Sequence, residues 1–160
     1  MAKVCLVSSP GGHLTQILSI AAELADEHEF FLCITAFPAV RDIRLDEVRR
    51  IYWMPVYWKY QDPFGIIVSV VAALFQFVRV FRKERPDFLI TTGAELALPA
   101  LVVNKMFFRR PSLFIESVSR IASPSRTGRY ASRLADRVFV QWPELLKAYG
   151  RRAEYHGRLL

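Results

Sequence analysis

Short apolar runs alternate with helical stretches along the whole chain, and this alternation restricts the fold more than any other feature of the sequence. Residues 3–8 (KVCLVS), 29–36, 49–54, 87–92, 112–116, 137–141 and 153–156 are short runs rich in apolar and β-branched side chains and read as strands. Residues 13–24 place Leu14, Ile17, Leu18, Ala21 and Leu24 on one helical face, and 63–82, 96–107, 126–135 and 143–149 also read as helices. Such repetition predicts a parallel sheet with helices on both faces, an open doubly wound α/β domain. The 160 residues suit a single domain spanning 1–160, and 52% hydrophobic residues supply a core and exclude a disordered chain. Ligands of such folds sit beyond the carboxyl ends of the strands. The loops 8–13, 92–95, 116–126 and 141–144 are therefore expected to converge on one edge.

Charge is distributed unevenly. Residues 1–62 hold six basic and eight acidic side chains, whereas 63–160 hold sixteen basic and seven acidic ones. A basic half beside abundant apolar surface points to an anionic partner such as a membrane headgroup or a lipid phosphate. The chain has no helix-turn-helix, zinc or aromatic RNA-binding motif, so nucleic acid is not the expected partner. Cys5 and Cys33 lie in apolar runs without metal-ligand spacing and read as buried hydrophobes in a reducing compartment; no metal and no cofactor are expected. Met1-Ala2-Lys3 leads directly into the first strand without the apolar core of a signal peptide, which predicts the cytoplasmic side.

Several strand ends carry residue types suited to chemistry. In 8–13 (SSPGGH), Gly11 and Gly12 would let backbone approach an anion at a helix N-terminus. The sequence matches neither a dinucleotide fingerprint nor a P-loop. His13 stands where a general base would stand, although a lone histidine can equally be structural. Thr92, Gly93 and Glu95 form a second strand-to-helix turn, in which Glu95 is either a helix-capping carboxylate or an acceptor for a sugar hydroxyl. Glu116 follows Leu113-Phe114-Ile115 directly, so it needs a partner, and Arg120 or Arg126 could supply one in a structural ion pair or at a site. The stretch 117–129 (SVSRIASPSRTGR) mixes arginines with hydroxyls and would suit a phosphate, or else is a solvated basic loop.

Residues 66–78 are apolar except for Ser69 and Gln76. Thirteen residues fall short of the ~20 that span a bilayer, so the segment reads as a core helix or an interfacial one, with a true span as the remaining alternative. Trp53, Tyr57, Trp58 and Tyr60 precede it, and Arg79, Arg82, Lys83 and Arg85 follow, residue types that favour a membrane interface. Trp53, Trp58, Ile66, Phe75, Arg79, Arg82 and Lys83 are the candidate membrane-associating residues.

The order strand–GGH–helix, TTGAELALPALV, FIESVSRIASPSRTGR and ADRVFVQWPE resembles the bacterial PssD-type polysaccharide-biosynthesis proteins. It is also similar to the membrane-anchoring subunit of the eukaryotic dolichol-linked N-acetylglucosamine transferase and, more distantly, to the N-terminal half of MurG. The resemblance implies a Rossmann-like GT-B N-terminal-type half-domain at the cytoplasmic face of the inner (plasma) membrane, peripheral or monotopic. It further implies a separate UDP-sugar-binding subunit and inverting transfer onto a polyprenyl-diphosphate-linked saccharide. By position, it implies that His13 and Glu116 are catalytic and that Gly11, Gly12, Thr92, Gly93, Glu95, Arg120 and Arg126 bind substrate. Where MurG continues its glutamate with Gln-Asn, this chain has Ser117-Val118. The alternatives are a non-catalytic scaffold that recruits the catalytic subunit to the membrane and a nucleotide-binding domain acting alone.

Overall fold

A computed structural model describes residues 1–37, 45–55 and 63–159. Among these, seven strands form one parallel sheet in the order β3-β2-β1-β4-β5-β6-β7. They are β1 Ala2–Ser8, β2 His28–Thr35, β3 Arg50–Met54, β4 Phe88–Thr91, β5 Ser112–Ile115, β6 Arg137–Phe139 and β7 Ala153–Glu154. The helices are α1 Gly12–Glu23, α2 Pro63–Glu84, α3 Ala97–Val103, α4 Arg126–Leu134 and α5 Leu146–Tyr149, with a π-helical turn Asn104–Phe108 extending α3. The expected doubly wound sheet is present, and its boundaries differ from the sequence reading by one to three residues at most ends.

Alternation along the strands assigns the two faces. Cys5, Val7, Phe31, Cys33, Leu89, Phe114 and Val138 point to the side where α2, α3 and α4 pack, around buried Phe77, Phe81 and Leu101. Val4, Leu6, Phe30, Leu32 and Ile34 point to the other side, against Leu14, Ile17 and Ala21 of α1. Helical cover of this second face is incomplete. Past α1, Phe88, Ile90, Leu113 and Phe139 line an open groove of about 570 Å³. Both cysteines are fully buried and free, with sulfurs 4.0 Å apart, and burial raises the Cys5 thiol pKa.

The direction of α2 is set by two contacts at its core-facing side. Glu84, near its C-terminus, bonds Lys3 and Arg50 at the starts of β1 and β3. Gln76 donates to the Trp53 carbonyl near the end of β3, at 2.7 Å. Residues 63–75 therefore extend toward and past the carboxyl edge of β3, about 18 Å of helix at 1.5 Å per residue, with Ser69 and Ala73 still packed inward.

Candidate functional site

Strand β1 lies between β2 and β4, so the chain reverses its direction of travel across the sheet at the β1–β4 boundary. A crevice opens there because the turns after β1 and β4 leave to opposite faces. The two turns are stitched together: the Thr92 hydroxyl donates to the His13 carbonyl at 3.1 Å and meets the Ser8 hydroxyl at 3.3 Å. Gly93 has φ +102, and a Cβ there would lie 3.5 Å from the Phe114 ring and 3.6 Å from His13 Cε1. The position thus favours glycine for its backbone conformation, while the space itself would admit a Cβ in ordinary contact with both rings. Ala94, next in sequence, also has positive φ (60), a costly conformation for a non-glycine residue.

A pocket of about 240 Å³ lies at this edge. His13, Thr92, Gly93, Glu116, Arg120 and Arg126 line it, together with Ser117, Ser119, Ser125 and Thr127. Three of the four loops expected to meet do so here, and 141–144 supports them from behind: Gln141 donates to the Glu116 carbonyl at 2.9 Å and Trp142 to the Val118 carbonyl at 2.7 Å. Arg120 and Arg126 are exposed and make no ion pair among the described residues. Two unpaired guanidiniums and several hydroxyls in a concave site suit a multiply charged oxyanion. His13 Nδ1 is buried and has no hydrogen-bond partner among the described residues. Among the described residues no group of acidic, cysteine and histidine side chains has metal-binding spacing.

Glu116 departs from expectation. It is 1% exposed, and among the described residues no arginine meets it. Its Oε1 accepts from the Ser117 amide at 2.8 Å; its Oε2 accepts from the Ser125 amide at 3.0 Å and from the Tyr149 hydroxyl. The ion pair fails because the backbone turns at Ser117 and Ser125 bring amide donors closer than either guanidinium. With both oxygens engaged, Glu116 clasps the loop. Glu95 is also occupied, accepting from the Thr35 hydroxyl at 2.8 Å, and does not line the pocket. Gly11 and Gly12 likewise stay outside its walls; Gly11 caps α1 through its carbonyl. Ser125, missed as a site residue, is the N-cap of α4 and accepts from the Gly128 amide at 2.8 Å. Its position before Arg126-Thr127-Gly128 is a recognisable capping signal. Tyr149 lies 33 residues from Glu116 and has no such signal in the sequence.

The apolar segment proves longer than its strictly apolar run. Helix α2, at 22 residues, is long and apolar enough by length and composition to cross a membrane. Ser69, Ala73, Phe77, Val80, Phe81 and Glu84 form its buried stripe. Its projecting half exposes Phe64, Ile66, Ile67, Val68, Val70, Val71 and Phe75. Trp53 instead packs half-buried against the α1 side of the core, and Trp58 lies outside the described residues. Arg79 and Arg82 are exposed, and the Lys83 ammonium lies 5.5 Å from the Tyr52 ring centre.

A seven-stranded parallel sheet with this strand order and a switch-point pocket defines a Rossmann-like domain of the GT-B N-terminal type. The Acinetobacter baumannii MurG crystal structure superposes with a TM-score of 0.75 at 18% identity, over 99% of this chain and 45% of that one. Residues 60–159 match the family model described as "Oligosaccharide biosynthesis protein Alg14 like". The chain belongs to that Alg14-like family. It is 22% identical over 179 residues to the human UDP-N-acetylglucosamine transferase subunit ALG14, covering 98% of this chain and 82% of that protein. It is 25% identical over 151 residues to the UDP-N-acetylglucosamine--N-acetylmuramyl-(pentapeptide) pyrophosphoryl-undecaprenol N-acetylglucosamine transferase of Lawsonia intracellularis. That match covers 90% of this chain but spans only 39% of the transferase.

Proposed function

We propose that this chain is the acceptor-binding, membrane-associated subunit of a heteromeric inverting glycosyltransferase. A separate chain binds the UDP-sugar, and the saccharide acceptor is carried on a polyprenyl diphosphate. The observation that carries this reading is the pocket at the β1–β4 switch, which His13 lines together with Arg120 and Arg126, two guanidiniums without an ion pair among the described residues. Arg120 and Arg126 hold the acceptor's diphosphate through charge-assisted hydrogen bonds. His13 takes the proton from the attacking sugar hydroxyl as the glycosidic bond forms and the nucleoside diphosphate departs. Glu116 shapes the pocket and leaves the base to His13.

The test is reconstitution with a candidate UDP-sugar-binding subunit and a lipid-diphosphate acceptor. Transfer by the two chains together and by neither alone is expected; transfer by this chain unaided overturns the division of labour. The scaffold alternative draws support from the projecting half of α2, which recruits a partner to a membrane whether or not this chain has a base.

Membrane attachment is assigned to that half of α2. Each large side chain moved from water into the lipid interface contributes about 1.5–3 kcal/mol at most. A Phe64→Asp, Phe75→Asp double variant is expected to abolish flotation with vesicles containing anionic lipid. Its melting temperature should be unchanged, because both rings are more than 70% exposed. Undiminished flotation would remove α2 as the anchor.

A further inference from the structure

We propose that Tyr149 is a positioning residue for the pocket, acting through Glu116 to set the loop 117–125. The inference rests on the reading of the pocket as an acceptor site, whereas the geometry of the latch stands apart from it.

The Glu116 carboxylate is buried, and a buried carboxylate is tolerated only when its oxygens are hydrogen-bonded. Two of its three donors are the amides of Ser117 and Ser125, the two ends of the loop that carries Ser119 and Arg120 into the pocket. The third, the Tyr149 hydroxyl, comes from α5, outside the loop. Tyr149 therefore ties α5 to the loop's anchor. The closeness of the junction is recorded at Gly128, in the first turn of α4. A Cβ there would run into the Tyr149 hydroxyl, Glu116 Oε2 and Ser125 Oγ, so only a hydrogen fits where the three meet.

Packing accounts for the Tyr149 ring, which lies against the core formed with α3 and α4. It does not account for the hydroxyl, since a phenylalanine would fill the same volume without requiring an acceptor. Burial first, and then the hydrogen bond and charge of Glu116, hold the phenol pKa far above its ordinary value, so the hydroxyl remains a donor throughout the physiological range.

Tyr149→Phe tests this in the full chain. A hydrogen bond to a charged acceptor contributes about 1.5–3 kcal/mol, or roughly ten- to hundred-fold in an equilibrium. Amide exchange at Ser117 and Ser125 is expected to accelerate by that factor, with the amides of β1 and β2 unchanged. In the reconstituted pair, the KM for the lipid-diphosphate acceptor should rise roughly ten-fold while the KM for the UDP-sugar stays constant. Val138→Ala serves as the structural control: it removes buried core volume on β6 and should lower the melting temperature without moving either readout. Unchanged exchange at Ser117 and Ser125, or acceleration spread evenly over the sheet, overturns the latch. Local acceleration with an unchanged acceptor KM overturns its positioning role. A wild-type pair that performs no transfer overturns the functional reading instead, and exchange alone then decides the latch.

Discussion

His13→Ala is expected to lower sugar transfer by the reconstituted pair by roughly 10²- to 10⁴-fold, the usual contribution of a positioned general base. The competing candidates are already engaged. Glu116 spends both carboxylate oxygens on three donors, and Glu95 is bonded to Thr35. His13 lines the pocket, and its ring Nδ1 is not spent on any hydrogen bond among the described residues. The variant should retain its fold and its partner, because α1 is anchored by Leu14, Ile17 and Ala21 and not by the imidazole. Association is checked by co-purification and turnover by product formation under saturating donor. Full turnover in an intact complex would transfer the chemistry to the other subunit and leave this chain as the scaffold.

Glu84→Gln is expected to cost about 3 kcal/mol at neutral pH and to flatten the acid side of the stability profile. Glu84 is buried at the C-terminal end of α2 and accepts from Tyr52, from Arg50 at 2.8 Å and from Lys3 at 3.2 Å, which ties α2 to β1 and β3. Burial pushes its carboxyl pKa upward, but the hydrogen bonds from Tyr52, Arg50 and Lys3 outweigh it and bring the value from 4.5 to about 2. A pKa lower in the folded chain than in the unfolded one means that stability is fully present above about pH 4.5. It is lost as the pH falls from there toward 2. Denaturant titrations between pH 7 and 2.5 provide the measurement. Parallel acid profiles for Glu84→Gln and wild type would show that other carboxylates govern acid unfolding. The partner Tyr52 is shifted the opposite way, pushed up to about 12 by burial and then by Glu84.

The two buried carboxylates, Glu84 and Glu116, took different partners for different reasons. Both follow or end apolar segments, and each had to find donors once buried. Glu84 found cations because α2 ends beside Lys3 and Arg50. Glu116 found amides and a phenol because its own loop folds back over it. Arg120 and Arg126 are close in sequence to Glu116, yet they face the pocket and leave it to other partners.

Local patterns in the chain were sufficient to determine the strand and helix succession, the parallel sheet and the convergence of His13, Gly93, Glu116, Arg120 and Arg126 at its carboxyl edge. They sufficed because side-chain period and turn chemistry act over a few residues, and because right-handed crossovers leave few ways to connect them. Only the tertiary structure decided which polar groups were spent. It turned Glu116 into a clasp, brought Tyr149 to it across 33 residues, withdrew Glu95 to Thr35 and left His13 Nδ1 without a partner among the described residues. It also packed Trp53 inward while projecting Phe64 and Phe75 outward. A buried donor or acceptor bonds to whatever the packed chain places within about 3 Å of it, and that neighbour is set by the whole fold.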